Sequence, residues 1–489
     1  MFIPRSIVIR TAAFVLLLLA MRAQAQTIGI DPANPHYYFF QGKPTVLVTS
    51  AEHYGAVVNG EFDYIPYLNA LQAYGLNYTR IYPGYLFEPM GKFMTGNTLG
   101  VKPAKLILPW ARSDQPGYLL SGNKFDLDHW NPAYFDRLKD FISQAAKHGI
   151  VVEICFFNGQ YDDTWPLSPL YHENNIQGVG RNGYKDAQTL KDPVLVEREA
   201  AYVRKIVQEV NGFDNVILEV CDEPSLFTPI EEAGPWVGHM LEVTHDAEAN
   251  LPKKHLIGQE VQGPVDGPID FSGNPLNSIV VTQYLWHTHD WEMGGLQGLD
   301  REYRHNKPIE QNETNYYPLY SGDRVGASRV EAWEFMVGGG ASFNQLNGLF
   351  TAEDPAGKTP ENAQLLGGLR SLKTFIESFS FVNMVPDRGF VVSGFDRETH
   401  YRGMSQPGQQ YALYIHHSEG GGGGSYTVTP GQYRENLVLS LPPGDYKAEW
   451  IDPASYSTLA TEKFKQTGAL HVLDTPTYAV DIALRIKRE

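Results

Sequence analysis

Between residues 45 and 379, short apolar runs and longer stretches of helical period follow one another in turn. That alternation limits the chain to an α/β architecture built on a parallel sheet. Strands are predicted at 45–50, 77–82, 150–156, 216–220, 255–258, 279–284, 307–313 and 341–344. Helices are predicted at 62–74, 132–148, 193–210, 229–249, 294–304, 325–337 and 361–379. The boundaries carry chemical marks. Asn131 precedes Pro132 as an N-cap with proline in the first turn, and Gly75 and Gly149 stand where a helix ends in a left-handed residue. Only the crossover at 261–277 lacks a helical period. Eight strands with seven helices between and after them read as a (β/α)8 TIM barrel. With 489 residues the chain has room for a barrel of about 250 or more and a smaller domain.

From about residue 385 the pattern changes to short alternating or apolar runs separated by turns, at 389–393, 411–416, 426–428, 436–441, 446–450, 469–473 and 480–485. This predicts a small antiparallel β-sandwich, read as a brace for the barrel, with the glycines at 420–424 forming a hairpin loop inside it. At the other end, Arg5 and Arg10, an apolar run at 11–21 and the small-x-small site Ala23-Gln24-Ala25 make a signal peptide cleaved after Ala25. The expected organisation is a signal peptide at 1–25, a barrel domain at 26–384 and a sandwich at 385–489, in a chain that is secreted or periplasmic. The apolar run is too short to span a membrane, and no later one is long enough. Cys155 and Cys221 give an exported chain no disulfide framework; both fall in barrel strands and read as small buried apolar residues, and a bond between them needs those strands to be neighbours.

The run at 216–220 ends in Asp222-Glu223-Pro224, an acidic pair at the C-terminal lip of a barrel strand, where barrel enzymes do their chemistry. Cleavage of a glycosidic bond needs two carboxylates flanking it. The strand at 307–313 supplies a partner for Glu223. Alternation puts Ile309, Gln311 and Glu313 on one face and Glu310 and Asn312 on the other, and Glu313 is preferred because it comes last, beside Asn315, Tyr316 and Tyr317. Composition agrees with a sugar partner. A net charge of −17 with no basic run in the body argues against nucleic acid and anionic membrane surfaces. Phe, Trp and Tyr make up 12% of the chain, many in long loops at 83–130 and 157–190, where rings can stack on the C–H face of a pyranose.

NVILEVCDEP at 215–224 resembles the fourth-strand Asn-Glu-Pro signature of clan A retaining glycoside hydrolases, the cellulase-like and β-mannanase-like barrels. KPIEQNET at 307–314 is similar to their seventh-strand nucleophile segment, and GLNYTR at 75–80 to their second-strand motif. Residues 338–347 and the sandwich resemble bacterial apiosidase-like proteins, whose small C-terminal domain is named for collagen binding. The resemblance implies a retaining O-glycosyl hydrolase working by double displacement on a polysaccharide or oligosaccharide, with no cofactor or metal. Glu313 would be the nucleophile and Glu223 the acid/base, with Arg80 and Tyr284 keeping Glu313 ionised. Asp222 stands where the family has Asn. It can only accept a hydrogen bond, and its charge should raise the Glu223 pKa. Gln283 stands in place of a family His. Asn158, Trp286, His287 and Trp333, at or near strand ends, read as sugar-subsite residues, and His53 as a cleft residue. Two other readings compete. His287-x-His289-Asp290 could ligate a metal in a barrel hydrolase, though no third and fourth ligands are visible. A non-catalytic carbohydrate-binding or adhesion protein on the same fold is the other.

Overall fold

The computed structural model describes residues 27–261, 270–283, 289–290, 295–314, 322–420 and 426–489. Its centre is a sheet of eight parallel strands: β1 (Leu47–Val48), β2 (Tyr78–Ile81), β3 (Val151–Asn158), β4 (Val216–Asp222), β5 (Leu256–Glu260), β6 (Ile279–Gln283), β7 (Ile309–Glu313) and β8 (Ser342–Phe343). From β2 onward each strand pairs with the next, and β8 returns to β1. Asn77 bridges the remaining seam. Its backbone N–H donates to Val48 O at 3.3 Å, its Oδ1 accepts from Val48 N at 3.1 Å and its Nδ2 donates to Val46 O at 2.9 Å. β3 and β4 are buried along their whole length, as expected of parallel strands covered on both faces.

The helices are α1 (Tyr64–Ala73), α2 (Pro132–Lys147), α3 (Pro193–Val210), α4 (Ile230–Ala247), α5 (Gln297–Glu302), α6 (Arg324–Val337) and α7 (Pro360–Glu377). Asp63, Asn131, Asp192, Asp323 and Thr359 cap five of them, each accepting a backbone N–H of the first turn. No helix joins β5 to β6 among the described residues. Two elements lie outside the sequence expectation. A small antiparallel sheet (Gly29–Ile30, Tyr38–Phe40, Lys43–Thr45) precedes the barrel, and a hairpin of Trp110–Pro116 with Asn123–Trp130 stands inside the loop at 83–130. Runs of two or three residues carry no readable period, and the hairpin is polar along most of its length. Cys155 and Cys221, on adjacent strands, are both buried free thiols.

After α7 a six-stranded antiparallel sheet packs on a three-stranded one (Val391–Ser393, Asn436–Leu439, His471–Asp474) around Leu413, Ile415, Leu437, Leu439, Trp450 and Leu484. The larger sheet includes His400–Gln406 and Thr458–Gln466, strands too polar to stand out in the sequence. Ser418–Gly420 pairs with Tyr426–Val428, so the glycine run does sit in a hairpin. The sandwich is seated on the outer barrel helices. Arg329 on α6 makes a bidentate pair with Asp481 at 2.8 and 2.9 Å, and Trp333 packs between Phe375 of α7 and Tyr414 of the sandwich.

Candidate active site

The barrel interior is polar. At its floor the Tyr78 hydroxyl lies within hydrogen-bond reach of both Glu153 and Glu310, and Ser342 donates to Glu310. Above this layer lies Arg80, fully buried, with its guanidinium 5.0 Å from the Tyr54 ring centre and 5.3 Å from that of Tyr82. Its Nε and Nη2 donate to Glu219 Oε2 at 2.8 and 2.5 Å, and Nη2 also to Asp222 Oδ1 at 3.0 Å. Glu219 is the polar residue that breaks the apolar run of β4. That break was the visible signal for a residue whose role is to hold Arg80.

Asp222 is enclosed by donors. Tyr82 Oη and Asn158 Nδ2 each lie 2.5 Å from Oδ2, and Asn312 Nδ2 lies 3.3 Å from Oδ1. Burial alone would raise its pKa, but Arg80 and the Tyr82 hydroxyl outweigh that and hold the carboxyl below its ordinary range. The side chain is thus a buried anion sustained from below. Glu223 follows with φ of 49°, a left-handed conformation that costs a non-glycine residue about 1–2 kcal/mol and recurs at functional sites. Its backbone N–H donates to the Glu260 carboxylate and its Oε2 lies 3.5 Å from the Tyr161 hydroxyl. Burial pushes the Glu223 carboxyl up to about 8, and the Asp222 charge adds to the shift as expected.

Glu313 reaches the mouth by a route alternation does not foresee. Glu310 and Asn312 point into the barrel, to Tyr78 and to Glu219 and Asp222, while Gln311 points outward and donates to Glu331 on α6 at 2.7 Å. Strict alternation would send Glu313 outward too. The ladder with β6 slips instead: Thr282 pairs with Gln311, but Gln283 pairs with Glu313. A bulge of this kind re-aims the side chain beyond it, and Glu313 Oε2 lies 3.9 Å from Arg80 Nη1. The expectation that Arg80 keeps Glu313 ionised is corrected. Burial and the charges of Asp222 and Glu223 hold the Glu313 pKa well above the ordinary range, because Arg80 is engaged at shorter range by Glu219 and Asp222.

The sequence missed other residues here. Glu260 ends β5 two positions beyond the predicted strand and keeps its proton well above the ordinary range through burial and the charges of Asp222 and Glu223. Phe93, Tyr161 and Phe227 form an aromatic wall beside Glu223, with ring centres 5.4 and 5.1 Å apart and Phe227 40% exposed. Lys92 Nζ lies 4.2 Å from the Tyr161 ring centre. Loop positions of this kind have no period to reveal them. His53 lies near the mouth, its Nε2 3.0 Å from Glu88 Oε2.

Of the remaining candidates, Tyr284, Trp286 and His287 lie outside the described residues. Asn158 is beneath the mouth, bonded to Asp222 and to the Tyr82 hydroxyl. Trp333 is not a subsite residue. It is fully buried on the outer wall, because α6 must cover apolar surface from both β-strands and sandwich. Trp333→Ala should cost about 3–5 kcal/mol in urea denaturation while leaving KM unchanged. His289 turns to Glu334 on α6, its Nε2 3.0 Å from Oε2.

No protein-family model and no curated protein matches the chain. Solved structures do. A glycoside hydrolase family 5 protein of Bacteroides vulgatus aligns over 94% of this chain and 93% of its own, at TM-score 0.61 and 12% identity. A second Bacteroides vulgatus structure, described as a candidate glycoside hydrolase, aligns over 95% and 83%, at TM-score 0.62 and 14% identity. A third, described only as a glycoside hydrolase, aligns over 95% and 97% at TM-score 0.60 and 13% identity. At such identities the likeness is one of fold. The fold is the (β/α)8 barrel of glycoside hydrolases carrying a C-terminal antiparallel sheet domain.

Proposed function

We propose that the protein is a secreted retaining glycoside hydrolase in which Glu313 attacks the anomeric carbon and Glu223 protonates the leaving oxygen, then deprotonates the water that releases the sugar. One observation carries this reading: Glu223 and Glu313, from the ends of β4 and β7, meet above a shared arginine, Arg80. The two carboxyls are coupled and titrate as a pair. Both are raised by burial and both are drawn down by Arg80, and the first step requires the singly protonated pair that carries its charge on Glu313 and its proton on Glu223. The exposed face of Phe227, beside Tyr161, supports a sugar as the ligand.

The test is activity against a panel of plant and bacterial polysaccharides and aryl glycosides, followed by a pH profile on whichever substrate is cleaved. A general acid works while it holds its proton, so kcat/KM should fall as pH rises through about 8. With an aryl leaving group that needs no protonation, Glu223→Gln should retain the first step and lose that basic limb. Binding of a glycan without cleavage would favour the carbohydrate-binding reading. Export is the further part of the proposal, and N-terminal sequencing of the secreted protein should begin at Gln26.

A further inference from the structure

The sandwich and the barrel meet over a buried cluster that the proposed reaction does not use. Glu334 of α6 is fully buried, and its carboxylate receives groups from three separate segments. His289 Nε2, from the loop after β6, lies 3.1 Å from Oε1 and 3.0 Å from Oε2. His416 Nε2, from the sandwich strand Gln410–His416, lies 3.3 Å from Oε2. The Tyr426 hydroxyl donates to Oε2 at 2.6 Å. One ligand atom from each of His289, Glu334 and His416 can be chosen so that all lie within 4.8 Å of one another.

We propose that His289, Glu334 and His416 form a zinc-class metal site that ties the sandwich to the barrel wall. The spacing fits: bonds of about 2.0–2.1 Å in a tetrahedron separate neighbouring ligand atoms by about 3.3 Å. The donor set fits as well, since two imidazoles and one carboxylate suit zinc and its transition-metal neighbours and not magnesium or calcium. His416 is the decisive residue. Its Nδ1 is 2.9 Å from Ser418 Oγ, the kind of outer contact that orients a ligating imidazole. Its Nε2 points at Glu334, 3.3 Å from Oε2. In the tautomer that donates Nδ1–H to Ser418, the Nε2 lone pair faces a carboxylate oxygen, an opposition that a cation between them removes.

Arg402 approaches the other carboxylate oxygen, Nε lying 3.5 Å from Oε1, while its Nη1 is paired with Asp300 at 2.7 Å. The His400 ring centre is 5.2 Å from those of both His289 and His416, which places a third imidazole beside the cluster.

The test is the metal content of the full chain after exposure to zinc and exhaustive dialysis. One equivalent should be retained by the wild type and by Glu223→Gln, which disrupts only the carboxylate-rich mouth. His416→Ala and Glu334→Gln should lose it, and removal of zinc by a chelator should lower Tm. Should those variants fail to fold, cobalt(II) added to the wild type should give the intense visible bands of a tetrahedral histidine-ligated ion. Wild type that retains no zinc and gives no such cobalt spectrum, or zinc held equally by a folded His416→Ala, overturns the proposal. None of these readouts depends on glycosidase activity.

Discussion

Glu313→Ala is expected to lower kcat/KM on a cleaved glycan by about 10⁴-fold or more, because removal of a catalytic nucleophile leaves only binding and the remaining electrostatics. The same change should leave the protein at least as stable as the wild type. Glu313 is almost entirely buried, and its proton is held by burial and by the Asp222 and Glu223 charges. A side chain that crowds its neighbours with like charge is maintained for chemistry and not for folding. Steady-state kinetics and a thermal melt on the same preparation check both halves. A variant that loses activity together with several degrees of Tm would point to a structural role for Glu313.

Arg80→Leu should act the other way, through stability. The guanidinium supports Glu219 and Asp222 from the barrel interior, all three side chains being almost wholly inaccessible to water. Removing one partner of a buried ion pair typically costs about 3–5 kcal/mol, since the remaining charge stays buried and uncompensated. The pH dependence follows from sign. In the wild type the Asp222 pKa is depressed, so its contribution to stability is present above the ordinary carboxylate pKa and is lost as pH falls through the lowered value. In the variant Asp222 keeps its Tyr82, Asn158 and Asn312 donors but, like Glu219, loses its countercharge, so both pKa values should rise and the defect should grow as pH rises. Urea denaturation at pH 5 and pH 8 should show the larger loss at pH 8. An equal loss at both would mean that packing, not charge, is what Arg80 supplies.

Much of this arrangement could be read from the residues because the elements are long and their ends are marked. α3 begins and ends at the residues its period and caps indicate, and β4 is visible as an apolar run closed by Asp222-Glu223-Pro224. Glu313 was reachable only as the last acid of β7, since the bulge that aims it depends on a partner strand nearly thirty residues away in sequence. Glu260 was lost to a two-residue error at a strand end, where sequence signals are weakest. Trp333 was misread because an aromatic on a barrel helix looks the same in sequence whether it faces a cleft or a second domain. The Glu334 cluster was beyond reach altogether. Its members stand at 289, 334 and 416, and only the docking of the sandwich brings them together.

The most direct test of the two-glutamate account is azide rescue of the alanine variants on an aryl glycoside, with the anomeric configuration of each product read by NMR. Azide filling the space left in Glu313→Ala attacks the sugar once and should give a glycosyl azide of inverted configuration. In Glu223→Ala azide should intercept the glycosyl-enzyme and give the retained product. No rescue of either variant, or products of the opposite configurations, would contradict the assignment of Glu313 as nucleophile and Glu223 as acid/base.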